Sequence, residues 1–134
     1  MKGFVGNIET LSEANRNFRT VLYTAGSCQL VLMSIEVGEE IGSEMHNLDQ
    51  FFRVEQGQGN AVLDGATTAI SAGFAVLVPA GTMHNIVNTG MEALKLYTLY
   101  APPNHRDGVV HTTRADALAD HEHYDGMTTE HRPL

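Results

Sequence analysis

A chain of 134 residues with 43% hydrophobic and 18% charged residues can bury a core without disulfides and is too apolar for a disordered polymer. Acids outnumber bases 16 to 8, and the net charge of −8 argues against nucleic acid or an anionic membrane as a partner. Cys28 is the only cysteine, which leaves no internal disulfide and suits a reducing compartment.

The N-terminal stretch MKGFVGNIETLSEANRNF has no long apolar core of the signal-peptide kind. No apolar run approaches the roughly 20 residues that cross a bilayer. A cytoplasmic protein is expected. Residues 9–15 read as one or two helical turns, with Thr10 or Ser12 as the cap.

From Arg19 the pattern turns to strands. RTVLYTA and CQLVLMSIEV flank Gly26-Ser27, a hairpin link, and Cys28 reads as a buried small side chain in the second of them. Val31, Met33, Ile35 and Val37 share one face of that strand, with Leu30 and Leu32 on the other, so both faces are expected to be covered. QFFRVEQ, NAVLD, TTAIS, AVLVP, HNIVN and LKLYTLY follow, separated by Gly57-Gln58-Gly59, Asp64-Gly65, Pro79-Ala80-Gly81 and Asn88-Thr89-Gly90.

About eight or nine short strands with little helix predict an all-β sandwich or barrel. The chain reads as one domain, with a barrel core over about residues 19–101 and an extension over 102–134. In the extension APPNHRDG is a loop, VVHT a short edge strand and RADALADH a helix capped by Thr113. The tail HEHYDGMTTEHRPL is either loose or an arm on a neighbouring subunit, and its His121 and His123 read as tail composition.

Two stretches carry the chemistry. In GEEIGSEMHNLDQFFRVEQG, strand alternation points Glu44 and His46 the same way, and Gln50 opens the next strand after the polar turn Asn47-Leu48-Asp49. In GFAVLVPAGTMHNIVN, the turn Pro79-Ala80-Gly81 delivers His84, with Ile86 and Asn88 on the same face. Two imidazoles, a carboxylate and an amide oxygen suit one divalent Fe, Mn, Ni, Co or Zn ion better than Cu(I). Asp49 is the stand-in for Gln50.

Phe52, Ile86 and Tyr97 are the expected cavity lining. Tyr97 and Tyr100 alternate, so only one of the two can face inward. Arg53 and Lys95 read as solvent or interface charges. His105 and His111 flank the Pro-led loop as exposed histidines. Glu44 and His105 are the candidate catalytic bases.

These two stretches resemble the cupins, whose motifs are Gly-x5-His-x-His-x(3,4)-Glu-x6-Gly and Gly-x5-Pro-x-Gly-x2-His-x3-Asn. The second is matched at Gly73, Pro79, Gly81, His84 and Asn88. In the first, Gly38, His46 and Gly57 match, while Glu44 stands at the first His and Gln50 at the Glu. The resemblance covers about residues 28–101. It implies a double-stranded β-helix, or jelly roll, with a metal in its mouth, and commonly a homodimer.

The inventory of one Gln, one Glu and two His also looks like that of the zinc phosphomannose isomerases. The stretch LKLYTLYAPPNHRDGVVHTTRADA looks like small single-domain cupins described as mannose-6-phosphate isomerase-like. The expected function is a metal-dependent, isomerase-like or lyase-like enzyme acting on a sugar or other small polar carbonyl or hydroxyl compound. The alternatives are an Fe(II) dioxygenase on the same site and a non-catalytic small-molecule-binding cupin.

Overall fold

A computed structural model describes residues 2–131. Helix α1 (Ile8–Ala14) precedes nine strands, β1 (Arg19–Thr24), β2 (Gln29–Ile35), β3 (Asp49–Gln56), β4 (Gln58–Leu63), β5 (Ala66–Ser71), β6 (Ala75–Val78), β7 (His84–Asn88), β8 (Leu94–Ala101) and β9 (Val110–His111). Helix α2 (Arg114–Ala119) follows. The strands form a six-stranded sheet, β6-β3-β8-β2-β1-β9, and a three-stranded sheet, β5-β4-β7. All pairings are antiparallel. This is the expected all-β jelly-roll sandwich with a short C-terminal helix.

Alternation decides what the large sheet turns inward. On β8 Leu94, Leu96, Thr98 and Tyr100 turn inward, and on β3 Gln50, Phe52 and Val54 do. On β2, Gln29, Val31, Met33 and Ile35 face the same way. Cross-strand register sorts these side chains by polarity. Val54, Leu96 and Met33 lie side by side, as do Phe52, Thr98 and Val31, and finally Gln50, Tyr100 and Gln29. The interior is thus apolar at one end and polar at the other. Lys95, expected as a solvent or interface charge, is buried on the opposite face of β8, where its ammonium donates to Asn15 C=O.

The outer face of β2 is covered too, as its two-sided apolar pattern predicts, because α1 packs across β2, β3 and β8. The cap of α1 is Asn7, whose side chain accepts from Thr10 N–H at 3.0 Å, rather than Thr10 or Ser12. Ser12 is instead the residue α1 buries against the sheet. Helix α2 starts at Thr113 as expected, in a reciprocal capping box with Asp116.

Cys28 is exposed, contrary to the sequence reading. The hairpin closes at Ala25 N–H to Cys28 C=O, 2.9 Å, so β2 begins one residue later and Gln29 takes the inward position. The C-terminal segment is tied to its own barrel. Thr129 N–H reaches Thr24 C=O at 3.0 Å, and Tyr124 N–H reaches Asn104 C=O at 3.0 Å. Residues 132–134 of the tail lie outside the described residues. No described helix is long and apolar enough to cross a membrane.

Candidate metal centre

The two stretches meet along β7. Residues 39–46 run antiparallel to it as an irregular extra strand. The contacts are Asn88 N–H to Glu39 C=O (3.0 Å), Ile41 N–H to Ile86 C=O (2.9 Å) and Gly81 N–H to His46 C=O (2.8 Å). Between them Glu44 and His84 form a reciprocal pair, each N–H donating to the other's carbonyl at 2.9 Å. Opposed residues of an antiparallel pair send their side chains to one face, so the carboxylate and the imidazole emerge together.

His46 joins them from two residues on, with Met45 between them turned outward and 55% exposed. Glu44 Oε1 is 3.6 Å from His46 Nε2 and 3.9 Å from His84 Nε2, and the two imidazole centroids are 5.4 Å apart. One ligand-type atom from each of the three residues falls within 4.8 Å of the others. The charge on Glu44 suits this role. Burial raises its pKa, but the adjacent His46 and His84 imidazoles and the Arg19 guanidinium outweigh it and hold the carboxyl below its ordinary 4.5.

Gln50 enters from β3, buried, with Nε2 donating to Thr98 Oγ1 at 3.0 Å. That bond commits the amide nitrogen and leaves the oxygen free. His84 is oriented in the same manner: Nδ1 lies 3.0 Å from Thr82 C=O, which fixes the proton there and leaves Nε2 as the lone-pair nitrogen. His46 Nε2, His84 Nε2 and Gln50 Oε1 are all buried, and none has a hydrogen-bond partner among the described residues. Buried polar atoms without partners are costly. Two of them, the imidazole nitrogens, lie against the Glu44 carboxylate, and the three residues fit a divalent transition ion of the mixed N/O kind.

Asp49 is placed outside this group. It is exposed and accepts from Ala80 N–H at 2.9 Å, bracing the turn that delivers His84. Phe52 is fully buried with its ring 6.2 Å from that of His84, and Ile86 is buried on the face shared with His84. Tyr97, expected in the lining, lies on the outer face of β8 beside Phe51, ring centroids 6.3 Å apart. Tyr100 takes the inward position, its ring edge-on to His46 at 6.0 Å. The alternation Leu94, Leu96, Thr98, Tyr100 is the sequence signal that separates the two tyrosines.

Beyond Tyr100 stands a buried chain of polar groups. Its hydroxyl is 3.3 Å from His105 Nε2, and His105 Nδ1 is 2.8 Å from Glu122 Oε2. His105 is therefore buried rather than an exposed loop histidine, and so is His111. Gln29 holds His105 in place: its Oε1 accepts from His105 N–H (2.9 Å), and its Nε2 donates to His105 C=O (2.7 Å).

Burial lowers the pKa of His105 against the opposing pull of Glu122, so the ring is held neutral. Burial works against the Glu122 charge, yet hydrogen bonds from the His105 ring and Arg106 N–H outweigh it and bring the carboxyl down to about 2. The Tyr100 phenol is pushed above its usual range, chiefly by burial. A neutral imidazole thus donates to a carboxylate on one side and accepts from a phenol on the other. Glu122, Thr98, Gln29 and Arg19 escape a motif-based reading because they lie outside both stretches and carry no spacing signature of their own.

Residues 31–100, just over half of the chain, match the family described as "Cupin domain". The chain is 47% identical over 125 residues to the uncharacterized protein YrkC of Bacillus subtilis (strain 168), covering 88% of this chain and 67% of that protein. It is 34% identical over 116 residues to the uncharacterized protein L612 of Acanthamoeba polyphaga mimivirus, covering 83% and 72% respectively. The crystal structure of BH2720 from Bacillus halodurans has 47% sequence identity and a TM-score of 0.87, covering 89% of this chain and 96% of that one. On the matched residues, the two motifs and the two-sheet architecture, the chain belongs to the cupin family.

Proposed function

We propose that the protein is a metal-dependent enzyme that moves a proton on a small polar carbonyl or hydroxyl compound. Glu44, His46, His84 and Gln50 hold a divalent ion. When bound, that ion supplies Lewis acidity toward an oxygen of the substrate. The observation that carries the reading is the position of Tyr100, between His46 on one side and the His105–Glu122 pair on the other.

In this reading Tyr100 Oη is the group that gives or takes the proton. As Tyr100 Oη takes a proton from the substrate, its own hydrogen passes to His105 Nε2, and the Glu122 carboxylate, which fixes the imidazole tautomer, stabilises the imidazolium that results. His105 acts through Tyr100, as a base one hydrogen bond removed. Phe52 and Ile86 keep the floor of the site dry. Glu44 serves as a ligand, since its ionised oxygens already face both imidazoles. The likeness of residues 94–117 to mannose-6-phosphate isomerase-like cupins points to a sugar-type substrate, with a homodimer as the expected assembly.

The test is exchange in D2O. Metal-loaded protein is incubated with a panel of aldoses, ketoses, hydroxy acids and oxo acids, and proton NMR follows the C–H next to each carbonyl. Exchange that disappears in Tyr100→Phe while metal content is kept supports the reading. Absence of exchange across the panel at full metal loading favours a non-catalytic binding protein. One observation favours a second reading: two imidazoles and one carboxylate within 4.8 Å are also the donor set of Fe(II) oxygenases. Oxygen uptake after anaerobic Fe(II) loading tests that reading.

A further inference from the structure

We propose that two copies of this chain meet on the outer face of the six-stranded sheet, along a row formed by Tyr23, Leu30, Leu99, Phe51 and Leu77. The inference rests on the homodimer expected above, adds the surface that makes it, and needs no metal.

Register builds the row. Tyr23 of β1 pairs with Leu30 of β2, Leu30 with Leu99 of β8, Leu99 with Phe51 of β3, and Phe51 with Leu77 of the edge strand β6. Their chain neighbours Thr24, Gln29, Tyr100, Gln50 and Val78 are buried inside, so the five apolar side chains stand on the outer face. Helix α1 lies over the other end of that face, where Ser12 is buried and Lys95 reaches Asn15 C=O. It stops short of the row. Leu77 is 66% exposed, and Tyr23, Leu30, Leu99 and Phe51 are only half-buried. Phe4 extends the row past Tyr23, with ring centroids 6.4 Å apart. An apolar stripe that crosses five strands is the kind of surface that marks an interaction site.

Charge and size favour a second copy as the occupant. The row has no charged residue, and the row beside it, Leu32, Tyr97, Arg53 and Ala75, has one, a guanidinium 3.8 Å from Glu55. A nucleic acid or a charged peptide finds nothing complementary there. Each copy carries a net charge of −8, so an uncharged face is where two of them approach with least repulsion. Five strands about 4.8 Å apart, taken three alternate side chains deep, give a face of roughly 24 by 20 Å in plan. With side-chain relief that comes near the ~800 Å² each partner gives to a standard interface. Sheet faces also stack on one another about 10 Å apart, and a two-fold axis sets this face against its own copy.

The test is sedimentation equilibrium of the full chain from about 1 to 100 µM. Wild type is compared with Leu77→Glu and with Met91→Glu, whose site in the turn before β8 is 96% exposed. The expected result is a wild type and a Met91→Glu variant of twice the 14.6 kDa of one chain. Leu77→Glu should fold, by circular dichroism, with its dimer dissociation constant raised about a hundredfold or more. The proposal is overturned by a wild type of single-chain mass at the highest concentration, whether or not it then binds neutral phosphatidylcholine vesicles. It is overturned equally by a dimer undisturbed in Leu77→Glu, which leaves the homodimer standing on another face, or by Met91→Glu dissociating as far as Leu77→Glu. If Leu77→Glu does not fold, spin labels on Cys28, the only cysteine and exposed just before β2, decide in the wild-type dimer. Packed sheets about 10 Å apart place the two labels within roughly 35 Å, and a longer separation ends the proposal. Metal content and exchange in D2O are measured on the same samples, and their loss with this association pattern intact counts against the proposed function alone.

Discussion

Glu44 and His84 are hydrogen-bonded to each other through both of their backbone amides, at 2.9 Å each way, although 40 positions separate them in the chain. The pairing does more than close a sheet. It sets a carboxylate and an imidazole side by side before any ligand arrives, so the cost of assembling the site is met by the β pairing itself.

Metal uptake should therefore depend on side chains and leave the fold in place. Wild-type protein is expected to bind about one divalent ion per chain, with His84→Ala and His46→Ala each reducing affinity by on the order of a hundredfold or more. At 100 times the dissociation constant, the ion should stabilise the fold by about 2.7 kcal/mol. A chelator should reverse that gain. Elemental analysis and melting curves with Zn or Mn check both statements, and unchanged metal content in His84→Ala would remove His84 from the ligand set.

Gln50 is the proposed ligand whose chemistry can be improved. Its amide nitrogen is held by Thr98 at 3.0 Å and its oxygen is unpaired. Gln50→Glu replaces that oxygen with a charged one and is expected to tighten metal binding. Thr98→Val removes the bond that orients the amide and is expected to weaken metal affinity by about 10-fold. Metal titration of the two variants should move in opposite directions. Movement in the same direction would mean that Gln50 does not reach the ion.

Much of this site was legible in the sequence, for a physical reason. The i, i+2 relation of Glu44 and His46, and the turn before His84, are local geometry, and local geometry is what spacing encodes. What spacing could not show was which neighbours the sheets bring together. Tyr100 and Gln50 meet because β3 and β8 pair in that register. Arg19 looks like a solvated strand end until β9 places His111 opposite it. His105 looks like a loop residue until Gln29, 76 positions away, clamps its backbone at both ends. Cys28 looks like a strand residue from its apolar neighbours, but the hairpin closes on its carbonyl and leaves it in the exposed link before β2.

Gly59, two residues past the first motif, and Gly81, within the second, resist a side chain for different causes, and the difference is testable. A Cβ built at Gly59 would stand 2.4 Å from Val87 C=O and 3.0 Å from Leu94 Cδ2, so the backbone of β7 would have to move. At Gly81 a Cβ meets nothing within 4 Å, and only the positive φ of 85° resists a side chain. Gly81→Ala should then cost about 1–2 kcal/mol of stability, the strain of one left-handed residue. Gly59→Ala should cost more, at or above the roughly 1–3 kcal/mol of an overpacked core. Chemical denaturation of the pair checks the order, and equal costs would contradict it.

Acid should unfasten the C-terminal segment before it protonates ordinary surface carboxylates in the folded state. His105 is held below its ordinary 6.5, mainly by burial. The unfolded chain then takes up that proton first, and stability falls as pH drops below about 6.5. Glu122 is held at about 2 against an ordinary 4.5. Its contribution is full above 4.5 and is lost as pH falls from there toward 2. Both changes act in the same direction, and both groups lie where residues 105 and 122 join. The stability difference between wild type and Glu122→Gln should accordingly be largest above pH 4.5 and shrink steadily toward pH 2. Urea denaturation of the two proteins across that range measures it. A difference that stays constant with pH would show that Glu122 contributes through its shape and hydrogen bonds and owes nothing to its charge.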